Sequence, residues 1–136
     1  MRFVRYAFVG TAWLFLACVV VQVFLAGLGV FAGAENFELH RGFGYLFGWL
    51  TLVLLVLALI GRLGGRWVGR SALLLLLFAL QSVFVALREP LPALAALHPV
   101  NALVIFYVAQ LTARGSRAVL PAAASSLQPS SEPARP

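Results

Sequence analysis

The sequence specifies an all-α integral membrane protein, an antiparallel up-down four-helix bundle made of two repeated helical hairpins. Three observations carry this reading. Hydrophobic residues make up 62% of the 136 and charged residues only 10%, whereas a soluble domain is about 25% charged. Four apolar runs each approach the roughly 20 residues that a bilayer core demands. The connections between them are so short that consecutive helices must be antiparallel neighbours. A membrane barrel is excluded, because it needs many alternating segments of about ten residues and these runs are continuous and leucine-rich.

The first span runs from Tyr6 to Val30 behind Arg2 and Arg5. Its end, Ala32-Gly33-Ala34, resembles a signal cleavage site, but an h-region is only about 7 to 15 residues long, so the run is read as a retained span. Cys18 lies alone in its middle, a small apolar thiol with no disulfide partner. The second span covers His40 to Ile60, the third Ser71 to Leu87, and the fourth Leu94 to Thr112, where Pro99 suits a first helical turn. Residues 1–115 thus form the bundle. Residues 116–136 are expected to be a disordered cytoplasmic tail, since Pro121 to Pro136 holds four of the seven prolines among alanine and serine.

Orientation follows from arginine, the sole basic residue type apart from histidine. Arg2, Arg5, Arg62, Arg66, Arg70, Arg114 and Arg117 fall on one side of the spans, while Arg41 and Arg88 share the other with Glu35, Glu38 and Glu89. The positive-inside rule makes both termini cytoplasmic. The net charge of +6 therefore encodes topology, with anionic-lipid contact as a secondary role, and is not a nucleic-acid footprint. Walker, dinucleotide and Cys-x-x-Cys-His motifs are missing, and no nucleophile is paired with a base. Ion-coupled transport would place charge at mid-membrane, and every Arg and Glu sits at a span end or beyond.

The chemistry concentrates in a repeat. Gln22 precedes His40 by 18 residues and Gln81 precedes His98 by 17, each pair crossing an odd span, an outer loop and the start of an even span. His40 and His98, the only histidines, then lie at one height on helices that are diagonal in such a bundle. Imidazoles facing each other there suit the iron of one b-type haem. Gln22 and Gln81 fall near the ring plane or bond across helices. Gly44 and Gly48 strip one helix face below His40, making room for close packing or for a porphyrin. Asn101, one turn below His98, is placed to bond a neighbouring helix or support the imidazole. Arg41 and Arg88 stand where haem propionates would emerge. Two other readings stay open: interfacial histidines with no ligand, and a zinc or copper ion held by His40, His98, Glu35 and Glu38.

The runs Leu39-His40-Arg41-Gly42-Phe43-Gly44-Tyr45-Leu46-Phe47-Gly48 and Leu97-His98-Pro99-Val100-Asn101-Ala102-Leu103 resemble an uncharacterised family of small four-span prokaryotic membrane proteins, over about Val4 to Arg114. The resemblance implies a multi-pass protein of a prokaryotic cytoplasmic membrane and brings no activity with it. More distantly, the Gln-bearing odd spans and the His-Arg start of the second resemble one four-helix half of haem A synthase. That likeness implies haem ligation by His40 and His98. The synthase pattern carries a glutamate three residues before the first of these histidines, where this chain has Phe37. The expected function is therefore haem-based electron transfer or haem handling with a redox partner or quinone, in a monomer or homodimer, and not catalysis by the chain alone. A cofactor-free accessory subunit is the alternative.

Overall fold

A computed structural model describes residues 1–121. Its helices are α1 (Arg2–Phe31), α2 (Phe37–Ile60), α3 (Gly65–Ala86), the single turn α4 (Pro92–Ala95) and α5 (Leu97–Ser116), with 3₁₀ turns at Ala34–Asn36 and Arg117–Val119. No strand occurs among the described residues. Stretches of α1, α2, α3 and the α4–α5 segment are long and apolar enough to cross a membrane. The helices overrun the apolar runs because helical hydrogen bonding carries on through the interface, whereas hydropathy registers only the hydrocarbon core. The fourth span is broken at Ala96, the cap shared by α4 and α5.

Helix α1 packs on α2, α2 on α3, α3 on α5, and α5 back on α1. This closed ring leaves α2 and α5 as diagonal partners. Pairing residues show each seam to be antiparallel. Phe15 and Gln22 of α1 meet Phe47 and His40 of α2, and Arg70 and Gln81 of α3 meet Leu111 and His98 of α5. In both seams one number rises as the other falls, as expected for two copies of one hairpin.

The interior mixes aromatics with small and hydroxylated residues. Phe8, Phe15, Leu54 and Leu74 are fully buried together with Ala58, Ala113, Thr51, Ser71 and Thr112. The hydroxyls of Thr51, Thr112 and Ser116 donate to the carbonyls of Gly48, Val108 and Ala113, so they add no unpaired polar group to an apolar interior. Large apolar side chains point outward instead, among them Phe24, Leu46, Trp49, Leu76, Leu103 and Tyr107. A surface so apolar all round is stable against lipid tails and would aggregate in water.

Two turns set the connections. Gly33, with φ 130°, starts the link between α1 and α2, and Gly64, with φ 98°, ends the link between α2 and α3. Both conformations are strained for any residue with a side chain. At the arginine-rich end, Arg5 donates through Nη1 to the carbonyl of Val119 at 2.8 Å, and Val119 is buried. Ser116 to Val119 are thus helix and packed turn, so the bundle reaches past residue 115 into the segment expected to be tail. Residues 122–136 of that segment lie outside the described residues.

Candidate functional site

His40 lies in the first turn of α2 and His98 is the second residue of α5, so the diagonal of the ring brings them together at one end of the bundle. Their ring centres are 6.2 Å apart, with planes inclined at 62°. Both rings are partly buried.

Each ring is oriented by the backbone of the glutamine that precedes it in the repeat. His40 Nδ1 lies 3.1 Å from the Gln22 carbonyl oxygen, and His98 Nδ1 lies 3.3 Å from that of Gln81. A carbonyl only accepts, so each Nδ1 carries the hydrogen and each Nε2 keeps its lone pair. An Nδ1–H held on a carbonyl is the usual device for presenting Nε2 to a metal.

Beyond this the halves diverge. The Gln22 side-chain amide donates to the His40 carbonyl at 2.8 Å and stands 3.3 Å from His40 Nε2, where its second hydrogen meets the lone pair. In the other half Asn101 Nδ2 donates to Gln81 Oε1 and to the Leu77 carbonyl, both at 2.8 Å. Gln81 is thereby drawn along α3 to Asn101, and its side chain makes no bond to His98. Asn101 fulfils the helix-bonding role expected of it. Gln22 Oε1 is buried without a partner among the described residues.

The glycine face does not make an open slot. A Cβ on Gly44 would stand 2.8 Å from Gln22 Nε2, and one on Gly48 would strike the ring of Phe78. The space expected for a porphyrin is taken by an amide and an aromatic ring, so these glycines serve helix approach. Phe78 also packs edge-on to Phe47, whose ring meets Phe43 and Phe15, which gives an aromatic cluster on the core side of the histidines. Arg41 is engaged by Glu38 in an exposed pair within α2, and Arg88 stands 3.6 Å from Glu89. Neither arginine reaches inward toward a propionate. No cluster of three His, Cys, Asp or Glu side chains able to hold a metal occurs among the described residues, so Glu35 and Glu38 do not join the histidines.

Residues 22–88 match the family of unknown function DUF6220. The part similar to DUF6220 takes in Gln22, His40, Gly44, Gly48 and Gln81 and stops short of His98 and Asn101. No curated protein and no solved structure matches the chain. The likeness to haem A synthase gains no support from these comparisons.

One participant escaped the sequence reading. Phe37 packs edge-on against His40, with ring centres 6.3 Å apart, and fills the space left by Gly29 on α1. It stands where the synthase pattern has a glutamate. The pairing of Gly29 with an aromatic across the five-residue link between α1 and α2 was the available signal, and the reversal at Gly33 is what brings the two together.

In donor type, spacing and Nδ1 orientation, His40 and His98 fit axial ligation of iron. The Gln22 amide must yield for His40 Nε2 to bind, and the Phe78 ring against Gly48 occupies space that a porphyrin would need.

Proposed function

We propose that the chain binds one b-type haem between His40 and His98. The observation that carries this is the 6.2 Å separation of two imidazoles whose Nδ1 atoms are tied to equivalent carbonyls. A metal bound at both Nε2 atoms, at about 2 Å from each, puts the ring centres roughly 6 Å apart. A bis-imidazole haem supplies one-electron transfer. The chain's own contribution is to hold both rings in the ligating tautomer. It also packs Phe37 edge-on against His40, and it supplies Asn101 to draw the Gln81 amide away from His98. The seven arginines at the opposite end support, by the positive-inside rule, a topology in a prokaryotic cytoplasmic membrane with both termini in the cytoplasm and the histidines toward the outer face. A membrane quinone or a redox protein outside is the natural exchange partner.

A second reading is favoured by the Gln22 amide on His40 Nε2 and by Phe78 beneath Gly48. In that account the same hydrogen bonds staple four helices into a cofactor-free accessory subunit.

An absorption spectrum of detergent-purified full-length protein, expressed with haem supply, separates the two. The haem reading expects a Soret band and a reduced low-spin α-band, with both lost in His98→Ala and the low-spin form lost in His40→Ala. A colourless protein that takes up no added haemin leaves the staple reading standing.

A further inference from the structure

At the end opposite the histidines, Trp67 is driven into the bundle from the start of α3. Its ring meets Phe8 of α1 edge-on at 5.8 Å, and its Cη2 lies 3.0 Å from where a Cβ on Gly115 of α5 would be. Trp67 is almost fully buried, with its indole wedged from α3 against α1 and α5, so it cannot swing away. Two guanidinium groups sit over it, those of Arg66 at 5.3 Å and Arg70 at 5.4 Å from the ring centre. Arg70 is tied down further, donating through Nη1 to the Leu111 carbonyl at 3.0 Å. Cation–π contact with tryptophan fixes where these charges stand while leaving most of their N–H donors free.

Among the described residues nothing acidic balances them. Arg62, in the turn before α3, and Arg114, near the end of α5, are exposed at the same end, and the acids Glu35, Glu38 and Glu89 all lie at the other end of the described bundle. Like charges gathered on a rigid platform repel at close range, and an anion between them relieves this. The platform lies at the end of an apolar span, at headgroup depth, where an anion carrying acyl chains meets the bare outer faces of α3 and α5 at the same time.

We infer that Arg66 and Arg70, held over Trp67, form a binding site for the phosphate headgroup of an anionic phospholipid in the leaflet at the arginine-rich end. The site is independent of any haem. Each arginine contributes about a fivefold factor to retention of the lipid, and the preference weakens as salt rises.

Native mass spectrometry of the full chain in mixed micelles of phosphatidylglycerol and phosphatidylcholine reads this directly. Wild type should retain one phosphatidylglycerol in preference to phosphatidylcholine. Arg66→Gln should lose about fivefold of that preference, and Arg66→Gln with Arg70→Gln roughly 25-fold. If the double variant does not fold, Arg66→Gln still decides the matter, because Arg66 is exposed. Arg2→Gln, at the same end but away from the indole, should change retention by about twofold or less. Equal losses in Arg2→Gln and Arg66→Gln would reduce the site to diffuse attraction and overturn it. So would an absence of preference for phosphatidylglycerol, or thermal stabilisation by inorganic phosphate alone that matches the lipid's.

Discussion

Gln22 is where the two halves of the repeat part company. Its amide satisfies the His40 carbonyl and Nε2 at once, while its own Oε1 is buried unpaired. Gly44 exists to admit that amide, since an added Cβ would lie 2.8 Å from Gln22 Nε2. The two positions must therefore couple. Gly44→Ala should destabilise the bundle by about 1–3 kcal/mol, as overpacking does, and cost little in a Gln22→Ala background, because the atom it strikes is gone. Denaturation of the four proteins in one detergent, treated as a double-mutant cycle, measures this. Additive losses would mean that Gly44 serves something other than Gln22. Asn101 of α5 has the counterpart role in the other half, with two bonds to α3 instead of a side-chain bond to a histidine. Asn101→Leu should cost about 1 kcal/mol, given that single interhelical bonds in membranes average roughly 0.6 kcal/mol. Under the haem reading it carries a second, spectroscopic consequence: Gln81 is released toward His98, and the low-spin fraction falls.

At the scale of helices, the seam between α2 and α3 rests on one glycine and one ring. Gly48 faces Phe78 so closely that even a methyl group would collide with it, and Phe78 is held in turn by Phe47 and Phe15. Gly48→Ala should therefore lower stability by about 1–3 kcal/mol. Adding Phe78→Leu should recover part of that loss. A thermal melt followed by tryptophan fluorescence tests the pair, and failure of the second change to restore any stability would remove Phe78 as the cause. This seam also shows where sequence reading succeeds and stops. The four spans, their antiparallel order and the diagonal placement of His40 and His98 were legible, because hydropathy and loop length fix them without reference to any side chain's rotamer. That Gly44 and Gly48 leave room on one face was legible too. The occupants were not, since a helix face shows that space exists while the neighbour that fills it is chosen by register between helices, to within a single residue. The break at Ala96 escaped for a related reason. Leu91 to Leu97 reads as unbroken apolar sequence, and only the paths of α3 and α5 require a turn there.

For the molecule as a whole, the two ends are chemically opposite, and one ring of helix contacts joins them. The histidine end holds Glu35, Glu38 and Glu89 with the two arginines that pair with them, so its charges nearly cancel. The other end holds Arg2, Arg5, Arg62, Arg66, Arg70, Arg114 and Arg117 with no acid among the described residues. Several of these arginines also close the ring. Arg5 joins α1 to the turn after α5, Arg70 joins α3 to α5, and Arg117 stacks on Trp13 of α1 at 5.5 Å. The cations on which the proposed orientation rests are thus partly the ones that hold the bundle shut, and that orientation should survive loss of any single arginine. In a Cys18→Ser background, Glu35→Cys should react with a membrane-impermeant maleimide added to intact cells. Leu63→Cys, in the turn between α2 and α3, should react only after the membrane is opened. Arg62→Gln should leave this pattern unchanged, because six arginines remain against two. A reversed pattern in the parent protein would place the histidines on the cytoplasmic side, and a redox partner would then have to be sought inside the cell.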